Sequence, residues 1–473
     1  MTLGTPSSTE QAGHVPEADS TQQAPSVATQ QIHAARSPGE RFFWLLAFLI
    51  AAFLFTPGMK SAMQPPKGAI FDFFKEWAAV RNWQSEMPLY TPQRAAIRKH
   101  LGLDLASEDG FFDPYNTHPP TANLFAVPFG GMSYRNAHLA WNLTSLILLG
   151  VSLVWIAREL HVTLDGTVLL AAATLLLASD PLKQSLIQGQ PNLLMGFLIV
   201  AAWRADRRGH SWLSGACLAT AATIKLYPAY LFLYALARRD WKAIVGGAVA
   251  GLSITAVTVG VFGVDAYRDY AQTVLPELRN VTNNWGNSSL LAFWERLLGA
   301  PVKTVRPAVT SPHALKACLW MSWLAVTTFA GWRSLRAESR SDKDAAFAVV
   351  VLAMLLMSPT TWHHYFVLAA IPVCVALKLS HRAGWQHSAT WLSIIALTLT
   401  PRLIWTLLIR QDSLSGQTNG FWERAGSVAV PWQSLTALSY QMYALLLLMA
   451  VLWRYSRQNL PASPQPSGET GSE

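Results

Sequence analysis

The chain has 473 residues, 51% of them hydrophobic and only 13% charged, with 36 Lys+Arg against 27 Asp+Glu and a formal net charge of +9. A soluble chain carries about 25% charged residues at similar apolar content, and here the apolar residues run in long blocks, so a soluble protein is excluded and a multi-spanning, all-α membrane protein fits. The positive balance does not signal nucleic acid, because the basic residues stand singly and in pairs between apolar blocks, without a basic stripe or aromatic-lined groove.

Residues 1–38 are an N-terminal tail rich in Ser, Thr, Gln, Ala and Pro, which cannot offset chain entropy and is expected to be disordered. Residues 457–473, ending PASPQPSGETGSE, read likewise. Between them, 39–456 forms a membrane domain whose first apolar block starts at Phe42, after Arg36 and Arg41, and reads as a retained anchor rather than a cleaved signal peptide. Apolar segments follow at 42–58, 135–157, 166–179, 191–203, 212–224, 226–237, 241–263, 314–335, 345–358, 362–379, 387–409 and 433–454. That pattern predicts about twelve (10–13) transmembrane or broken helices, several of them shorter than the roughly 20 residues a full crossing needs. Cys217, Cys318 and Cys374 each lie inside an apolar block without a partner at ligand spacing, so they read as small membrane-core residues.

Short connections carrying Arg158, then Arg204, Arg207 and Arg208, then Arg238, Arg239 and Lys242, then Arg333, Arg336, Arg340 and Lys343, and finally Arg454 and Arg457 fall on one face. The positive-inside rule makes that face cytoplasmic and puts both termini inside. The opposite face carries the first outer loop 59–134, the stretch SDPLKQSLIQGQPN, IKLYP, the second large outer loop 264–312 and SPTTWHH, dense in Asn, Gln, His, Trp and Pro. Polar, specific sequence concentrated there places the chemistry outside.

In AIFDFFKEWAAVRNW, Asp72 sits among apolar neighbours just beyond the first span. Such an acid can have a raised pKa and serve as a general base, although spacing alone favours a cap on the helix that follows. FFDPYNTHPPTANLF offers Asp113, Asn116 and His118 before two prolines that start a helix returning into the membrane; turn and cap roles are the default for the first two. Gln188, Gln190 and Asn192 precede a short apolar helix, where amides and free backbone N–H groups suit an anionic or hydroxyl-rich ligand, and simple capping needs only one of them. Lys225 is the only charge between Ser214 and Ala237; it either snorkels to the interface or neutralises a lipid phosphate. NNWGNSSLLAFWERLLG supplies Asn284, Asn287 and Arg296, residue types that hold sugar hydroxyls or phosphate, or else a surface turn and interfacial helix. Trp362, His363 and His364 end the set: adjacent histidines diverge on a helix, so a two-His metal site is not signalled. Trp362 suits an interfacial anchor, and one histidine can donate to a phosphate or sugar oxygen.

In order and spacing, FDFF with WQSEMPLY, HPPTANLFAVPFG, QGQPN, SGACLATAATIKLYPAYLFLYALARRDWKA, NNWGNSSLLAFWERLL and SPTTWHHYF resemble glycosyltransferase family 87, polyprenol-phosphate-sugar-dependent enzymes of the GT-C superfamily. The resemblance implies a GT-C fold and transfer of a hexose, usually mannose, from a polyprenyl-phosphate-sugar donor to a glycolipid or glycan acceptor outside the cytoplasm, in a bacterial plasma membrane. It also implies Asp72 as catalytic base. Lys225, either His363 or His364, and Arg296 would then bind the donor phosphate, and His118, Asn116, Gln188, Gln190, Asn192, Asn284, Asn287 and Trp362 the sugar or acceptor. A single displacement that inverts the anomeric centre follows, with no cofactor and no metal. Competing classes are a transporter or flippase of a lipid-linked sugar, which needs polar residues along a path to the cytoplasmic side, and a noncatalytic envelope scaffold.

Overall fold

The computed structural model describes residues 37–104, 114–278, 286–298, 311–380, 384–401 and 435–458. Among these every regular element is a helix. Helices begin where a capping side chain precedes an apolar run. The Ser37 hydroxyl accepts from Glu40 N (3.1 Å) at Pro38–Ala62, Asp165 from Val168 N (2.9 Å) at Gly166–Ala178, and Asp240 from Ala243 N (3.1 Å) at Trp241–Phe262.

By length and composition, Pro38–Ala62, Tyr134–Glu159, Trp241–Phe262, Pro312–Leu335 and His363–Ser380 are long and apolar enough to cross a membrane. Gly166–Ala178 and Asp180–Gln188 pass the same test together as a pair bent by 57°. The chain is therefore a polytopic, all-α membrane protein. Pro38–Ala62 buries only Ala51 and Ala62 while Phe42, Phe43, Phe53 and Leu54 stand exposed, an arrangement stable where lipid is the solvent. The predicted segments fall on helices, and among the described residues five of them, or six with the bent pair, are long and apolar enough to cross, the others being shorter, as a mixture of full and broken spans requires. Ser211–Ile224, Tyr227–Ala237 and Tyr440–Arg454 are apolar and shorter. The later part of the segment at 387–409 lies outside the described residues.

Two local expectations are corrected. SDPLKQSLIQGQPN is not a loop: Asp180–Gln188 is a helix, capped by Ser179 (Leu182 N, 3.2 Å) and stopped by Gly189 in the left-handed region. Its polar composition hid ordinary start and stop signals. Pro119 and Pro120 open only the short, buried helix Pro120–Leu124, and the chain returns through Tyr134–Glu159.

The interior is organised around Arg340–Met357, buried without a break from Asp344 to Leu356. A helix apolar on all sides must be enclosed by others. Ser211–Ile224 and Trp241–Phe262 meet backbone to backbone, since a Cβ on Gly215 would lie 1.8 Å from the Ala243 carbonyl oxygen.

Three helices run between two polar layers. Tyr134–Glu159, Asn192–Arg207 and Arg340–Met357 each carry charged residues at one end and reach the QGQPN and SPTTWHH turns, or the Asp72 helix, at the other. At the charged end Glu159, 5% exposed, meets Arg204 (3.3 Å), Arg207 (3.4 Å), Arg208 (2.8 Å) and Arg340 (3.4 Å). Arg207 also pairs with Asp344, which accepts from the Trp203 indole N–H at 3.0 Å. Removing one member of a buried network leaves the others uncompensated, a loss of about 3–5 kcal/mol. Arg207→Met is accordingly expected to lower the melting temperature of the detergent-solubilised protein clearly, while Arg208→Met, whose side chain is 49% exposed, leaves it near the parent value.

Candidate active site

The second polar layer is assembled from five chain segments. Asp72 occupies the N-cap position of Phe73–Gln84 but makes no capping hydrogen bond, so its carboxylate faces outward from the helix start. Aromatic packing fixes that helix: Phe73 stacks on Trp141 (centroids 5.3 Å apart), Phe74 meets Tyr134 edge-on, and the Tyr134 hydroxyl accepts from Phe71 N at 3.0 Å. Asp72 Oδ2 accepts from Gln190 Nε2 at 2.5 Å and its Oδ1 lies 3.2 Å from Lys75 Nζ. Gln190 Oε1 in turn accepts from Lys225 Nζ at 2.7 Å. One amide thus spans an anion and a cation, and its orientation is set by both.

Gly189 makes this possible. Its φ is +64°, and a Cβ there would come within 2.5 Å of the Phe73 Cβ and 3.0 Å of His138 Nε2, so only glycine brings Gln190 this close to the Asp72 helix. His138 and Asn142, both fully buried on Tyr134–Glu159, tie the layer together through the carbonyls of Ile187 (3.2 Å) and Leu186 (2.9 Å). Lys225 follows Ser211–Ile224 in extended conformation. Its ammonium lies 4.8 Å over the Tyr365 ring and 3.4 Å from that hydroxyl, and Tyr365 stacks on Tyr227.

The electrostatics correct one expectation. Burial acts to raise the Asp72 pKa, but Lys75 above all, with His364 and His118, holds it down at about 2. The carboxylate is therefore ionised at any working pH, and its side chain remains 34% exposed for a substrate to reach. His118, 7% exposed, is paired with Glu76; burial pushes its pKa down against the pull of that carboxylate, and Lys225 and Lys75 add to the lowering.

The two adjacent histidines differ. His363 Nδ1 lies 2.6 Å from Gln441 Nε2, and its Nε2, which makes no well-directed hydrogen bond among the described residues, is at ion-pair distance, 3.0 Å, from Asp180 Oδ2. His364 Nε2 is buried without a hydrogen-bond partner among the described residues and lies within electrostatic reach of Asp72 and Lys225. The His364 carbonyl accepts from Ser185 Oγ (3.0 Å) and Asn192 Nδ2 (3.2 Å), leaving Asn192 Oδ1 unpartnered. Gln188, half-buried, ends the helix before Gly189. Trp362 packs half-buried on the apolar core.

Three sequence candidates have other work. Asn287 is wholly buried: its Oδ1 accepts from Ser289 N (3.1 Å) and Thr361 N (2.8 Å), and its Nδ2 donates to the Pro359 carbonyl (2.9 Å), so it pins the turn before the histidines instead of meeting a sugar. Arg296 donates to the Asn287 carbonyl (2.7 Å) and the Leu438 carbonyl (3.4 Å), which makes it a clamp between segments; burial lowers its pKa to about 10. Asn116 bonds Asn123 Oδ1 (2.7 Å), the Lys75 carbonyl (3.2 Å) and His118 N (3.0 Å). Buried polar groups need such internal partners, and sequence position could not reveal them. Asn284 and Asp113 lie outside the described residues.

Sequence reasoning passed over Lys75, Glu76, Asp180, Tyr365 and Gln441. The signal for the first two was present: FDFFKEW places Asp72, Lys75 and Glu76 at i, i+3 and i+4, one side of a helix start.

Comparison with known proteins now adds to this geometry. The family model described as "Glycosyltransferase family 87" matches residues 116–359, just over half of the chain. The chain belongs to glycosyltransferase family 87. It is a membrane glycosyltransferase. The matched stretch carries Gln190, Asn192 and Lys225, and the fold adds Asp72 and His364 from outside it. A "polyprenol-phosphate-mannose-dependent alpha-(1-2)-phosphatidylinositol mannoside mannosyltransferase" of Mycolicibacterium smegmatis is 26% identical over 381 residues, 76% of this chain and 80% of the relative. The protein of that name from Mycobacterium tuberculosis is 26% identical over 431 residues, 87% and 91% of the two chains. An "alpha-(1->3)-arabinofuranosyltransferase" of Mycobacterium tuberculosis is 23% identical over 208 residues, 43% and 47% of the two.

The glycine predicts its own test. Gly189→Ala adds left-handed strain and overpacking against Phe73, together roughly 2–5 kcal/mol, and is expected to lower the melting temperature and to abolish glycosyl transfer even in the fraction that stays folded.

Proposed function

We propose that this family 87 enzyme transfers mannose from a polyprenyl phosphate donor to a glycolipid acceptor by a single inverting displacement, with Asp72 as the base. The names of the relatives matched over three quarters or more of this chain support mannose and a phosphatidylinositol mannoside-like acceptor. The arabinofuranosyltransferase covers less than half of it. The Arg-rich connections at the opposite end of the bundle support an extracytoplasmic site and cytoplasmic termini in a bacterial plasma membrane.

The observation that carries the reading is the Asp72–Gln190–Lys225 bridge. An acceptor hydroxyl approaching Asp72 gives its proton to the carboxylate as its oxygen bonds to the anomeric carbon. The bond from that carbon to the phosphate oxygen breaks, and the electron pair leaves on polyprenyl phosphate. Lys225 and His364 stand where that growing negative charge needs cations or N–H donors. Gln190, held from both sides, keeps base and cation in register, and the unpartnered Asn192 Oδ1 is the amide group offered to the sugar, with Gln188 and Trp362 as further candidates from the same two turns. His118 with Glu76 and Lys75 sets the field around Asp72. His363 positions its neighbour through Asp180 and Gln441. The phosphate's charge is met by protein groups, and no metal enters this scheme.

With purified protein in liposomes, polyprenyl phosphate mannose and lipid acceptors, wild type should transfer labelled mannose with inversion, and at an unchanged rate in chelator. Asp72→Asn should lose at least about a hundredfold. Movement of donor across the membrane without transfer would put transport in place of catalysis. The pH profile tests the electrostatics separately. A base with its pKa near 2 keeps activity as pH falls until well below ordinary carboxylate values. Lys75→Met removes the main lowering influence and leaves burial opposed only by His364 and His118, so the acid limb should move up in pH. An unmoved limb would mean that Asp72 does not govern it.

A further inference from the structure

Around Lys225 there are buried polar atoms that nothing among the described residues satisfies. The Tyr227 hydroxyl is buried with no hydrogen-bond partner, as is His364 Nε2. Tyr227 lies two residues beyond Lys225, at the first position of the 3-10 helix Tyr227–Leu231. Its ring is stacked on Tyr365 with centroids 5.3 Å apart and planes 17° from parallel. The Tyr365 hydroxyl is itself 3.4 Å from Lys225 Nζ. A buried hydroxyl without a partner is destabilising until something accepts from it, and native proteins keep such groups where function uses them.

The ligand that matches is read from the atoms. Lys225 Nζ, Tyr227 O–H and His364 Nε2 can all act as donors, two of them are unsatisfied among the described residues, and the cation already sits over Tyr365, the ring on which Tyr227 stacks. A lipid phosphate, a diester while it carries the sugar and a monoester once it has left, presents acceptor oxygens and a negative charge in both forms, so it fits this set, whereas a sugar hydroxyl would use Asn192 Oδ1 equally well. Leu226, 60% exposed, and the exposed Ala229 flank Tyr227, so the segment that carries it faces the surroundings from which a lipid-borne phosphate arrives.

We propose that Tyr227 is a catalytic residue of this enzyme, donating a hydrogen bond to the phosphate of the lipid donor and to the same phosphate as it leaves. This rests on the reading of the site given above and adds to it a residue that neither the spacing of the chain nor the family match distinguishes. Tyr227 keeps its proton throughout: the anomeric C–O bond breaks with its electron pair on the phosphate oxygen, the acceptor's proton goes to Asp72, and the hydroxyl only shares its hydrogen with the departing charge.

The test compares wild type with Tyr227→Phe in binding and in turnover. Polyprenyl phosphate and, as control, uncharged polyprenol of the same chain length are titrated against full-length protein in detergent. Loss of one hydrogen bond to a charged group predicts roughly ten- to a hundredfold weaker binding of polyprenyl phosphate. Polyprenol should be unaffected, the melting temperature equal to wild type or higher, and kcat lowered by a comparable factor. Equal affinity of both proteins for polyprenyl phosphate overturns the proposal, and so does an equal loss for polyprenol and polyprenyl phosphate, which would make Tyr227 a packing residue. If wild type binds polyprenyl phosphate through Tyr227 yet transfers no sugar to any acceptor, the transferase scheme fails and the phosphate contact stands.

Discussion

The Gln190 side chain, pulled between a carboxylate and an ammonium, is the contact on which the site depends. Asp72 and Lys225 come from distant parts of the chain, the start of one amphipathic helix and the end of an apolar one, and neither is held by its own backbone. Gln190 donates to one and accepts from the other, so its amide can take only one orientation, and each charge limits the freedom of its opposite. That geometry requires the backbone at Gly189 to pass within contact distance of Phe73, which in turn requires the left-handed turn that ends Asp180–Gln188.

Around that contact the charges are arranged in a graded way. Lys75 keeps Asp72 ionised at the cost of intrinsic basicity, and the buried Glu76–His118 pair stands behind it. A second network, from Asp180 through His363 and Gln441 to Ser288, lies beside the first and consumes one of the two adjacent histidines. The other end of the bundle holds the Glu159 and Asp344 cluster, where arginines from the Asn192–Arg207 and Arg340–Met357 helices converge. Both ends are polar and cross-linked by hydrogen bonds and ion pairs while the middle is apolar, so the helices between them are fixed in height as well as in packing. A site assembled from five segments needs that rigidity, because an error of an ångström in any one of them pulls Asp72, Gln190 and Lys225 out of contact.

Much of the fold was legible before any coordinates. Long apolar blocks name membrane helices because a backbone in lipid has no alternative partner, and the start of Pro38–Ala62 or Trp241–Phe262 follows from a capping residue beside an apolar run. Asp180–Gln188 was missed because its polar composition masked the same signals. Asp72, Gln190, Lys225 and His364 stood out as polar residues in apolar surroundings. Their choice of partners did not, since Asn287, Asn116 and Arg296 have the same composition signature and turn inward to backbone carbonyls and amides.

The amino-acid sequence by itself determined the class of protein, the positions of its helices, the polarity of its two ends and the set of residues from which a site had to be drawn, because hydrophobic periodicity and capping act over a few residues. Only the tertiary structure decided which member of each pair faces the chemistry. His363 rather than His364 is tied to Asp180 and Gln441, Asp72 is held ionised rather than neutralised by its apolar neighbours, and Tyr227 is stacked on Tyr365, more than a hundred residues away, whose hydroxyl meets Lys225. Such outcomes turn on the field and the hydrogen-bond partners supplied by distant segments, and these exist only once the helices have packed.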